Sequence, residues 1–124
     1  MNMITGPKAI ETIEREFPEN RAELHDETWD GLLHLQISVF SRLAQASIDS
    51  GDRTIFKKVC DLFLEFFQNG EDALINALNV SFLEHLSFED SNQIRSWAYH
   101  QMPNTMRMAY DAMEEYNRRL HGGR

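Results

Sequence analysis

The amino-acid sequence predicts an all-α fold, and three observations carry that prediction. Valine occurs three times in 124 residues, and no stretch of six alternates polar with apolar, so strand patterning is missing. Apolar residues recur instead at spacings of three and four along nearly the whole chain. Pro, Gly, Asn and Asp fall between those runs, where helices need to start and stop. Short connections make consecutive helices antiparallel neighbours. The expectation is therefore about six antiparallel helices, in a compact bundle or a short α-solenoid-like stack of helical hairpins.

Gly6-Pro7 opens the first helix with proline in its first turn, and Phe17-Pro18 closes it, because a residue before proline avoids the helical region. A short turn covers Arg21–His25. A long helix is expected from Thr28 as N-cap to Asp49. Its apolar arc runs through Trp29, Leu33, Ile37, Phe40, Ala44 and Ile48, widened by Leu32, Leu35, Val39, Leu43 and Ala46, which places it at the centre of the domain. His34, Ser38, Ser41, Gln45 and Asp49 form its polar stripe. Gly51 supplies a left-handed stop.

Arg53 to Gln68 makes the next helix, with Phe56, Val59, Cys60, Phe63 and Phe67 on one face and Asn69-Gly70 beyond it. A helix from Asp72 to Leu86 follows, then a Ser87–Asp90 loop. Asp90 or Ser91 caps a helix through Ile94, Trp97 and Ala98. Pro103 begins the last helix, where Met106, Ala109, Tyr110, Met113 and Leu120 recur at helical spacing.

Residues 1–124 are read as a single domain. Leu, Ile, Val and Phe total 31 of 124, above the disorder range, and the length suffices for a core without metal or disulfide support. A lone cysteine, Cys60, forms no internal disulfide and fits a reducing cytosol. The N-terminus lacks a signal-peptide pattern. The longest uncharged apolar-rich runs, Gly31–Ser41 and Ala73–Leu83, are eleven residues each, too short to span a bilayer. A soluble cytoplasmic protein, monomeric when free, is the expectation. A formal charge of −8 argues against nucleic-acid and anionic-membrane partners, which favour basic faces.

Catalytic constellations are missing. None of the five histidines stands in an H-E-x-x-H or E-x-x-H spacing, so no metal is expected. Glu84 and His85 are adjacent and point about 100° apart on a helix. Cys60 lies on a phenylalanine-rich stripe, where apolar surroundings suppress thiolate formation. Glycines are scattered at turns rather than gathered into a phosphate loop. Neither enzyme activity nor a cofactor is expected.

The charge map is more informative. Residues 71–90 hold five acids and no Lys or Arg, and residues 1–35 hold eight acids against three bases. Two acidic blocks on a helical scaffold read either as a docking surface for a basic partner or as acidity that serves solubility. The preferred block is Glu71, Asp72, Glu84, Glu89 and Asp90. Its rival is Asp26, Glu27 and Asp30, with His34 one turn further along.

The run Ile75-Asn76-Ala77-Leu78-Asn79-Val80-Ser81-Phe82-Leu83-Glu84-His85-Leu86 and the later Met102-Pro103-Asn104-Thr105-Met106-Arg107-Met108-Ala109-Tyr110 follow a helix–Ser-Gly-Asp–helix unit at Ile48–Phe67. Together they resemble a family of small all-helical bacterial domains of largely unknown function, which includes immunity proteins of contact-dependent inhibition and other polymorphic toxin systems. The resemblance spans about residues 28–120. It implies a cytoplasmic protein that binds a cognate toxin domain, commonly a basic nuclease, and blocks its active site. The alternative is a helical adaptor module with no toxin partner, and a small hydrolase or metal enzyme ranks third. A toxin-encoding frame directly upstream separates these readings.

Overall fold

A computed structural model of the chain describes residues 3–88 and 94–120. Its described residues form seven α-helices: α1 (Gly6–Glu16), α2 (Arg21–Leu24), α3 (Leu33–Ser50), α4 (Arg53–Asn69), α5 (Asp72–Ala77), α6 (Ser96–Gln101) and α7 (Asn104–Leu120). A 3₁₀ turn at Pro18–Asn20 leads into α2, and a π turn at Leu78–Phe82 followed by a 3₁₀ turn at Leu83–His85 extends α5. The chain is all-α, as the apolar periodicity predicts.

α3 occupies the centre, with α1, α2, α4, α5 and the π turn packed around it. This is a bundle about one helix rather than a stack of hairpins. Ile37, Phe40, Ala44 and Ile48 of α3 are fully buried, together with Phe56, Phe63 and Phe66 of α4 and Ile13 of α1. Phe82, from the π turn, stacks on Phe40 at 4.8 Å and on Phe63 at 5.3 Å between ring centroids. The Asp72–Leu86 segment is thereby tied into the core by an aromatic ring.

Two helix starts carry side-chain caps at residues that periodicity alone does not single out. The Thr5 hydroxyl accepts from the Lys8 N–H at the start of α1, and the Asp52 carboxylate accepts from the Ile55 N–H at the start of α4. Gly51 ends α3 at φ +71, a left-handed conformation that favours glycine. The first described residues return to the α4–α5 junction: Ile4 N–H donates to Asn69 O at 2.8 Å, and Glu71 N–H donates to Ile4 O at 2.9 Å.

Two expectations need correction. The long helix does not begin at Thr28. The Asp26 carboxylate accepts from the Thr28 N–H, an Asx turn that competes with helix, and Gly31 takes φ +84. Leu32 is then extended, and α3 starts at Leu33. Asp72–Leu86 is also not one α-helix. In a regular helix Leu83 would stand about 140° around from Leu78 and could not share its buried face. The wider π turn brings Leu78, Phe82 and Leu83 to full burial together. It also frees the Phe82 carbonyl, which accepts from the Ser41 hydroxyl at 3.1 Å. The expected cap at Asp90 or Ser91 lies outside the described residues.

Candidate functional site

The polar stripe of α3 is only partly solvent-facing: Ser41 is buried, Ser38 and Gln45 are half-buried, and His34 and Asp49 are exposed. It stitches the central helix to the segment that follows α5. His34 Nδ1 and Ser81 Oγ are 2.9 Å apart, Ser41 holds the Phe82 carbonyl, and the Gln45 carboxamide both donates to Ser87 O and accepts from Ser87 N–H. Arg95 extends the seam, donating to Asp49 at 2.7 Å and to the Ser87 hydroxyl at 3.1 Å. Polar side chains meeting unpaired backbone in this way fix the register of an irregular segment. The segment's outer side is thereby held in a defined shape.

That outer side forms a groove of about 370 Å³ between the π turn and α7, lined by Asn76, Asn79, Val80, Glu84, Met113, Tyr116 and Asn117. Val80 and Tyr116 are large apolar side chains left 44% and 63% exposed on the walls of this groove. Asp72 stands one turn before Asn76 on α5 and so lies on the same helix face. Asp72 and Glu84 are both exposed, and neither makes an ion pair among the described residues. The groove therefore joins apolar contacts, carboxamides and an acidic rim.

The remaining residues of the preferred block are placed differently. Glu71 is half-buried, and its carboxylate accepts from the Gly6 N–H at 2.9 Å, so it anchors the start of α1 instead of facing a partner. Glu89 and Asp90 lie outside the described residues.

The rival block does not form one patch. Asp26 is spent on its Asx turn, and the backbone hydrogen bond from Thr28 holds its carboxyl below the usual range. Glu27 is exposed. His34 is no continuation of a helix from Asp30, since α3 begins between them. Its imidazole turns to Ser81.

Asp30 belongs to a constellation that spacing arguments miss. His25 Nδ1 lies 2.7 Å from Asp30 Oδ1, and His25 Nε2 lies 2.6 Å from Glu14 Oε1. Arg21 adds a contact at 3.4 Å to the other Glu14 oxygen. The hydrogen bond to Asp30 is the main cause that raises the His25 pKa above its ordinary value, opposed by desolvation and helped by Glu14. These partners lie on separate elements, five and eleven residues away, so no local motif reveals them.

The chemistry available to these groups is limited. The His34–Ser81 contact pairs a base with a hydroxyl, but Ser81 is buried and no carboxylate orients His34 among the described residues. Cys60 is buried under a groove lined by Arg53, Thr54, Lys57, Asp61, Gln101 and Pro103, and burial pushes its thiol up to about 12. No group of three or more His, Cys, Asp and Glu side chains among the described residues could hold a metal ion. No helix among them is long and apolar enough to cross a membrane.

Fold and site together define a small all-α domain with an acidic, partly apolar groove beside an irregular helical turn. The chain belongs to the family described as "Domain of unknown function (DUF7674)", whose pattern matches residues 10–118. No curated protein and no solved structure matches it.

Proposed function

We propose that the protein is an immunity-type inhibitor that binds a basic toxin domain, a nuclease by preference, and blocks its active site. The observation that carries this reading is a pair of carboxylates, both exposed and free of ion pairs among the described residues. Glu84 lines a groove containing Val80, Met113 and Tyr116, and Asp72 stands one helical turn before the groove's Asn76. Tyrosine and methionine are enriched in interface cores, and a charged rim steers association. Nuclease surfaces carry cations that hold phosphate, and carboxylates compete for those cations. The polar seam beneath the π turn supports the same reading, because a preorganised surface loses less entropy on binding. The proposed role is binding without catalysis, in the cytoplasm.

The test is co-expression with the polypeptide encoded directly upstream of this gene. Growth arrest by that polypeptide alone, relieved when this chain is supplied, is expected. A neighbouring product that is harmless, or whose toxicity this chain leaves untouched, overturns the toxin reading and leaves an adaptor role.

A further inference from the structure

We infer that His25 is a protonation-dependent clasp that pins the loop between α2 and α3 to α1. The argument begins with hydrogen inventory. An ionised carboxylate only accepts, so a ring nitrogen 2.6–2.7 Å from one must donate. Neutral imidazole has one N–H and satisfies one of the two contacts. Only imidazolium satisfies both, and the arrangement of Glu14, His25 and Asp30 is therefore that of the protonated ring.

The surroundings leave the clasp in control of the loop. Its charged neighbours are Glu14 and, further along the adjoining cleft, Glu11 from α1; Asp30 from the loop; and Arg21 from α2, which touches Glu14. α3 contributes Leu33 and Gln36 to that cleft, neither of them titratable in this range. α1 itself is held independently by buried Ala9, Ile10 and Ile13 and by the Glu71–Gly6 contact. The loop is held within itself by backbone turns such as Trp29 N–H and Asp30 N–H donating to Asp26 O, and by the Asx turn at Asp26. Besides His25, its side-chain ties to the rest of the molecule are Trp29 Nε1 donating to Glu23 O and the Gln36 side chain donating to Asp30. Losing a charge-assisted contact acts on the loop while α1 stays packed.

The direction follows from linkage. A histidine whose folded-state pKa is raised contributes its stabilisation fully below the unfolded value of 6.5, and that contribution disappears as pH rises through the higher folded value. The clasp is closed in mildly acidic solution and loosened in alkaline solution. Loosening also removes the positive charge between Glu14 and Asp30 and makes this end of the molecule more acidic.

The experiment is a pH titration of the full chain by NMR, following the His25 ring signals together with amide exchange across residues 25–32. His25 is expected to titrate above 6.5 and to move down toward it in both Asp30→Asn and Glu14→Gln. Exchange in the loop, normalised to amides of α4, is expected to rise about two- to fivefold through that titration, and to be faster and flat in His25→Gln. A His25 titration at or below the ordinary value overturns the clasp, as does loop exchange that ignores the titration. Neither readout depends on the toxin proposal.

Discussion

Gly70 shows how much a single residue can constrain this molecule. A Cβ at that position would lie 2.4 Å from the Phe66 carbonyl oxygen and 2.9 Å from the Leu74 side chain, and the backbone oxygen has no room to yield. Gly70→Ala is expected to destabilise the protein by about 2 kcal/mol through overpacking, read as a Tm several degrees lower with unchanged helical circular dichroism below the transition. An unchanged Tm would show that the α4–α5 junction is looser than the structure has it. From sequence, Asn69-Gly70 reads only as a stop signal, because the crowding comes from tertiary approach. The same limit applies to charge. Glu71 looks like a free carboxylate until the start of α1 folds onto it, whereas Asp72 and Glu84 stay exposed. Cys60 was legible because its helical phase puts it among phenylalanines, and it is 2% exposed.

Elements were legible wherever local signals agree. The Gly51 stop, the Phe17-Pro18 boundary and the 3.6-residue stripes of α3 and α4 all act within a few residues of chain. Asp52→Ala is expected to lose ~1 kcal/mol, with Asp52→Asn retaining most of it, as measured by denaturant unfolding. Equal loss in both variants would mean that charge, not the capping acceptor, is what matters there. The two misplaced boundaries have separate causes. At Thr28 a side chain outcompeted the helix for a backbone N–H, and at Leu78–Phe82 the core demanded more buried positions than a regular helix offers. Periodicity registers neither event. The first turns on a side chain two residues away. The second turns on distant partners, the Ser41 hydroxyl for Phe82 O and the Phe40 and Phe63 rings for its side chain. The polar stripe of α3 was legible, but its partners were not, since sequence does not say whether polar groups meet water or, as Ser41 and Gln45 do, backbone.

At the scale of the whole molecule, charge and shape meet in the groove between the π turn and α7. The net charge of −8 sets a general attraction for basic partners, but a general field does not choose a face. The proposal is specific: the face carrying Asp72 and Glu84 is where the partner sits. The most direct measurement compares two double variants of equal net charge for affinity toward the upstream-encoded polypeptide. One is Asp72→Lys with Glu84→Lys. The other is Glu19→Lys with Glu65→Lys, two exposed carboxylates outside the groove. The groove variant is expected to bind at least about tenfold more weakly at physiological salt, mainly through slower and salt-dependent association, while the control stays within about twofold of the parent. Equal weakening of both, or of neither, would contradict a groove-centred interface.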